Sequence, residues 1–164
     1  MKYQANKNYE SSDLVMTPVT LTKVIVDYFK PKGRILEPCC GTGNFLKVLP
    51  KNTNWCEISK GEDFFDYNTK VDWIISNPPW SKFRNFLIHS YELANDIVFL
   101  ITINHLWTKA RLRDMKSANF GIKEIAMIPE KVKDFRQTGF RCGAIHLQKG
   151  YKGGIKLSEL FLKQ

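Results

Sequence analysis

Apolar strand-like runs alternate with amphipathic helical segments along this chain, and few architectures bury both kinds at once. A sheet with helices laid over its faces does so, which predicts an α/β fold with a mostly parallel central sheet. The run over 96–103 is the most apolar and belongs at the centre of that sheet, with Val71-Asp72-Trp73-Ile74-Ile75-Ser76 as a second buried strand. Shorter strands are expected over 34–37 and 54–58, and two final ones over 122–128 and 143–148. A helix opens at Thr17-Pro18, turns Leu21, Val24, Ile25, Tyr28 and Phe29 to one side, and stops at Pro31-Lys32-Gly33. Further helices are expected through Phe45, Leu46, Val48 and Leu49, over 83–94, and over the basic stretch 106–115. The length of 164 residues suits one core and is short for two, and neither repeats nor a Pro/Gly-rich linker divide it.

Composition removes several classes. With 43% hydrophobic and 25% charged residues the chain reads as globular, not disordered. No run of 18 apolar residues is present, and the opening Met1-Lys2-Tyr3-Gln4 has no signal-peptide core, so no membrane role and a cytoplasmic location are expected. Cys39, Cys40, Cys56 and Cys142, with His89, His105 and His146, lack metal-ligand or disulfide-framework spacing; reduced thiols and no metal are expected. Charge is uneven. Residues 1–81 hold 10 Lys+Arg against 9 Asp+Glu, whereas residues 82–164 hold 15 against 7. A one-sided excess of this kind suits a face that meets a polyanion.

Four features carry chemistry. Glu37-Pro38-Cys39-Cys40-Gly41-Thr42-Gly43-Asn44-Phe45 joins a strand to a helical segment through glycines that permit close backbone approach to a ligand. It lacks the third glycine of a dinucleotide fingerprint and the lysine of a phosphate loop, so neither NAD nor ATP is favoured. Glu57 follows at the end of the next strand, where an acid can accept both hydroxyls of a ribose. Asp63-Phe64 offers an acceptor for an exocyclic amine beside an apolar ring. Asn77-Pro78-Pro79-Trp80 then follows a buried strand directly. Its prolines end the ladder and stiffen the turn, Asn77 and the Pro78 carbonyl can accept from one planar amino group, and Trp80 supplies a stacking surface.

In this order the motifs resemble those of adenine-N6 DNA methyltransferases of the γ arrangement, which use S-adenosylmethionine. The likeness spans about residues 13–149. It implies a single Rossmann-like methyltransferase catalytic domain over 1–164. Thr17 and Pro18 then match the segment beside the methionine end of the cofactor, and Glu37, Gly41 and Gly43 the loop beneath it. Glu57 matches the ribose ligand, Ile58 an adenine-packing residue, and Asp63 and Phe64 the adenine-binding pair. Asn77, Pro78, Pro79 and Trp80 match the catalytic tetrad, and Phe135 or, failing it, Phe140 a second aromatic against a flipped-out base. Lys109, Arg111, Arg113, Lys131, Lys133, Arg136 and Arg141 are candidates for phosphate contacts.

The implied reaction is direct in-line methyl transfer to the N6 amine of adenine in DNA, without a covalent enzyme intermediate or a catalytic cysteine. The family usually adds a target-recognition domain that is not evident here. Low sequence specificity, a specificity subunit or a homo-oligomer is therefore expected, with single-stranded DNA or RNA also admissible as substrate. Glutamine-N5 protein methylation and a non-catalytic nucleic-acid-binding subunit are the remaining alternatives. The setting expected is a bacterial or phage-infected cell.

Overall fold

The computed structural model describes residues 15–128, 132–135 and 141–161. A seven-stranded sheet runs through its centre in the order β2-β1-β3-β4-β6-β5-β7. Its strands are β1 (Ile35–Glu37), β2 (Asn54–Trp55), β3 (Trp73–Ser76), β4 (Asp96–Thr102), β5 (Phe120–Met127), β6 (Cys142–Lys149) and β7 (Lys156–Glu159). All pairings are parallel except those of β6, which runs antiparallel to both β4 and β5. Helices α1 (Val19–Phe29), α2 (Phe83–Leu93) and α3 (Lys109–Ser117) flank it.

The central strands are apolar at successive positions because both faces are covered. Leu36, Ile74, Ile97, Phe99 and Ile101 project into one core with Phe83, Phe86, Leu87 and Tyr91 of α2. Their alternates Ile35, Ile75, Val98 and Leu100 enter a second core with Leu21, Ile25 and Val26 of α1. The period of two along each strand thus builds a three-layer domain, as the sequence predicts.

The local reading is corrected at four places. The stretch around Phe45–Leu49 is a chain of turns and not a helix. Two helix-type bonds form, Lys47 N–H to Gly43 O and Leu49 N–H to Phe45 O. They go no further because Pro50 has no N–H and Gly43 sits at φ +79°. The second strand stops at Trp55, since Ile58–Lys60 forms a single 3-10 turn capped by the Glu57 side chain and by Gly61 at φ +82°. Strand β7 is unannounced in the sequence, as its Leu157 is exposed and it shows no apolar alternation. It is held instead by Lys156 and Ser158, both bonded to the buried Glu124 carboxylate, which also receives the Tyr28 hydroxyl. On α1 the buried face is Leu21, Thr22, Ile25 and Val26, leaving Tyr28 exposed.

Candidate active site

Between β1 and β3 the chain changes its direction of travel across the sheet, because β2 was laid on one side of β1 and β3 on the other. Open α/β sheets bind ligands in the crevice that such a reversal leaves beyond the strand ends. Here Glu37 ends β1, Ser76 ends β3, and a cavity of about 560 Å³ lies beside them. Of the cofactor candidates named from sequence, Thr17, Glu37, Gly41, Glu57, Ile58, Asp63 and Phe64 line this cavity, and Pro18 and Gly43 do not. Gly41 has φ +50°, a left-handed conformation that favours glycine, and a side chain there would also press to 2.9 Å on the Met16 sulfur.

The two glutamates at the cavity hold opposite charge states. Glu37 is 1% exposed and accepts a hydrogen bond from the Ser76 hydroxyl. Burial pushes its carboxyl up to about 8, against the pull of that bond. Glu57 is also partly desolvated, but the Ser59 hydroxyl at 2.7 Å, the Gly41 N–H at 2.6 Å and the Ser59 N–H at 3.2 Å hold its carboxyl below the usual range. At neutral pH Glu37 is therefore neutral and Glu57 charged. Cys39 lies 3.0 Å from the Ser76 hydroxyl, and burial followed by the neighbouring Glu37 pushes its thiol well up, so it is no thiolate nucleophile.

Apolar surface completes the lining. Ile58 is 68% exposed and Phe65 40%, and both border the cavity. Asp63 caps the turn Phe64–Asp66 by accepting the Phe65 N–H at 2.9 Å. That turn sends Phe64 into the core, stacked on Phe86 at 5.0 Å between centroids. Phe65, Phe86, Met16 and Lys82 border the site unannounced; only the turn geometry decides which of Phe64 and Phe65 stays exposed.

Asn77 and Pro79 line the same cavity, whereas Pro78 is buried and Trp80 half-buried beside it. The Asn77 amide is clamped at both ends. Its Nδ2 donates to the Val15 carbonyl at 3.2 Å, and its Oδ1 accepts the Trp80 indole N–H at 3.2 Å. An amide oxygen has two lone pairs, so one remains for a further donor. The Trp80 indole also reaches the Leu100 carbonyl at 3.4 Å, and its ring meets His105 edge-on at 5.8 Å.

The basic candidates divide. Lys109, Arg113, Lys133 and Arg141 are exposed. Arg111 is turned inward, its guanidinium 5.4 Å from the centroid of the Phe83 ring and donating to the His105 carbonyl. Phe135 is buried in the core beneath α1, against which Trp80 also packs. Lys131, Arg136 and Phe140 lie outside the described residues.

Neither a family model nor a curated protein sequence matches the chain. Solved structures do. A Listeria monocytogenes protein assigned to the class I S-adenosylmethionine-dependent methyltransferases superposes with a TM-score of 0.65 at 17% identity, covering 94% of this chain and 68% of that one. The M protein of the type I restriction enzyme EcoKI gives 0.60 at 16%, over 86% of this chain and 45% of that one. Magnesium protoporphyrin IX methyltransferase of Synechocystis PCC 6803, solved with S-adenosylmethionine bound, gives 0.54 at 12%, over 77% and 74%. The fold is a class I methyltransferase fold. Among the described residues, no helix is long and apolar enough to cross a membrane.

Proposed function

We propose that this protein transfers a methyl group from S-adenosylmethionine to the N6 amine of adenine in DNA. The observation that carries the reading is the seating of Asn77 and Pro79 on the cavity bordered by Glu37, Glu57 and Asp63. The lining fits the cofactor chemically. A buried, neutral Glu37 can turn anionic beside a cationic ligand, Glu57 is already charged for hydroxyl donors, and Ile58 and Phe65 offer apolar surface to a purine. S-adenosylmethionine supplies an activated methyl on a sulfonium; the remaining work belongs to the chain.

The adenine amine is a weak nucleophile because its lone pair is spread into the ring. The free lone pair of Asn77 Oδ1 and the Pro78 carbonyl are the acceptors that draw the amine out of that conjugation. Val15 and Trp80 fix the Asn77 amide before substrate arrives, so the acceptor needs no reorganisation during the reaction. Asn77→Ala is expected to lower methyl transfer to DNA by about 10²–10³-fold, the scale of losing one preorganised hydrogen-bonding group. Cofactor affinity measured by calorimetry should stay near wild type. Loss of both together would remove Asn77 from the catalytic role.

A further inference from the structure

Trp107 stands unexplained by the chemistry above. It is 45% exposed, unusual for a residue whose large apolar surface favours burial. It ends the 3-10 segment Ile103–Trp107, which follows β4 at the same edge of the sheet as Glu37 and Asn77. That segment is packed against the catalytic motif, for His105 meets the Trp80 ring edge-on at 5.8 Å. It is also pinned from behind, where Arg111 donates to the His105 carbonyl. Trp107 is thus an exposed ring on a firmly held support, two residues from the contact with Trp80.

Helix α3 begins two residues later. Its inner side is occupied by Arg111 against Phe83 and by Asp114, which accepts Arg84 at 2.7 Å. Lys109, Arg113 and Lys116 recur at i, i+4 and i+7, and all three are exposed. That spacing sets them in one stripe, about 6 and then about 4.5 Å apart along the helix axis. An aromatic face at the head of a cationic stripe is the arrangement that holds unpaired nucleotides, the ring taking a base and the cations the phosphates.

We infer that Trp107 is a stacking platform for an unpaired base next to the target adenine, with Lys109, Arg113 and Lys116 following the strand away from the site. This rests on the nucleic-acid reading above and adds a preference for single-stranded or locally opened substrate.

The test is fluorescence anisotropy with a short labelled single-stranded oligonucleotide carrying adenine, and with its duplex, on the 164-residue chain with S-adenosylmethionine present. Trp107→Ala and Trp107→Leu should each weaken single-strand binding about tenfold, while Trp107→Phe stays within about threefold of wild type. The duplex should lose less, and cofactor binding should not change in any variant. Wild-type affinity in the Leu variant, or equal losses on single strand and duplex, overturns the platform. Should the wild-type protein bind cofactor but neither oligonucleotide, the nucleic-acid reading itself falls. Should it bind both and ignore the Ala substitution, only Trp107 is misassigned.

Discussion

Glu37 and Glu57 border one cavity yet differ in protonation, and that difference has measurable consequences. A carboxyl raised to about 8 from 4.5 stays protonated in the folded state over a range where the unfolded chain has released its proton. The folded state then binds more protons than the unfolded one, so this residue's contribution to stability falls as pH rises from 4.5 towards 8. The slope approaches about 1.4 kcal/mol per pH unit. Glu37→Gln should remove that slope and raise Tm at pH 8 more than at pH 5, as thermal scans at the two pH values would read; an equal shift at both would contradict it. Cofactor binding should also release a proton at pH 7 in wild type and none in the variant, measured by calorimetry in buffers of different ionisation enthalpy. Much of the cavity lining was legible in the sequence, since Glu37, Glu57 and Asn77 stand at or just beyond strand ends and Asp63 opens a turn, each in a recognisable motif. What was not legible depends on turns. The Asp63-capped turn buries Phe64 and exposes Phe65, and the Val15 and Leu100 carbonyls that hold the Asn77 amide and the Trp80 indole lie on other segments.

At the scale of elements, the central strands carry the stability. Phe99 of β4 is buried against Phe83 of α2, with centroids 6.1 Å apart. Phe99→Ala should cost about 3–5 kcal/mol, a Tm loss of roughly 10 °C or more. Leu157→Ala on the exposed edge strand β7 should stay within about 0.5 kcal/mol. Chemical denaturation of the two variants checks the contrast, and a large loss at Leu157 would mean that the edge is covered in solution. The same division explains which elements the sequence announces. Strands β3 and β4, buried on both faces, advertise themselves by unbroken apolar runs. Strand β7 is held by Lys156 and Ser158 on Glu124, long-range polar bonds that leave no local pattern. The turns through Phe45–Leu49 carry helix-like apolar spacing, but Gly43 and Pro50 leave too few residues to propagate a helix.

Across the whole molecule, a net charge of +9 falls mainly on the second half of the chain. Binding to DNA should therefore weaken steeply with salt, the logarithm of affinity falling by about 0.9 per phosphate contact for each tenfold rise in salt, or about 0.7 on single strands. Replacing Lys109 and Arg113 with Glu should weaken binding and flatten that salt slope by roughly one contact each, as titrations at several salt concentrations would show. An unchanged slope would remove α3 from the interface. The acceptor of the methyl group decides what this protein does. The decisive measurement is transfer of tritiated methyl from S-adenosylmethionine to duplex DNA, single-stranded DNA, total RNA and a protein extract, with the labelled product then digested and identified. The account predicts N6-methyladenine in DNA, with single-stranded substrate labelled at least as well as duplex. Label confined to RNA or protein, or carried on any base other than adenine, would contradict it.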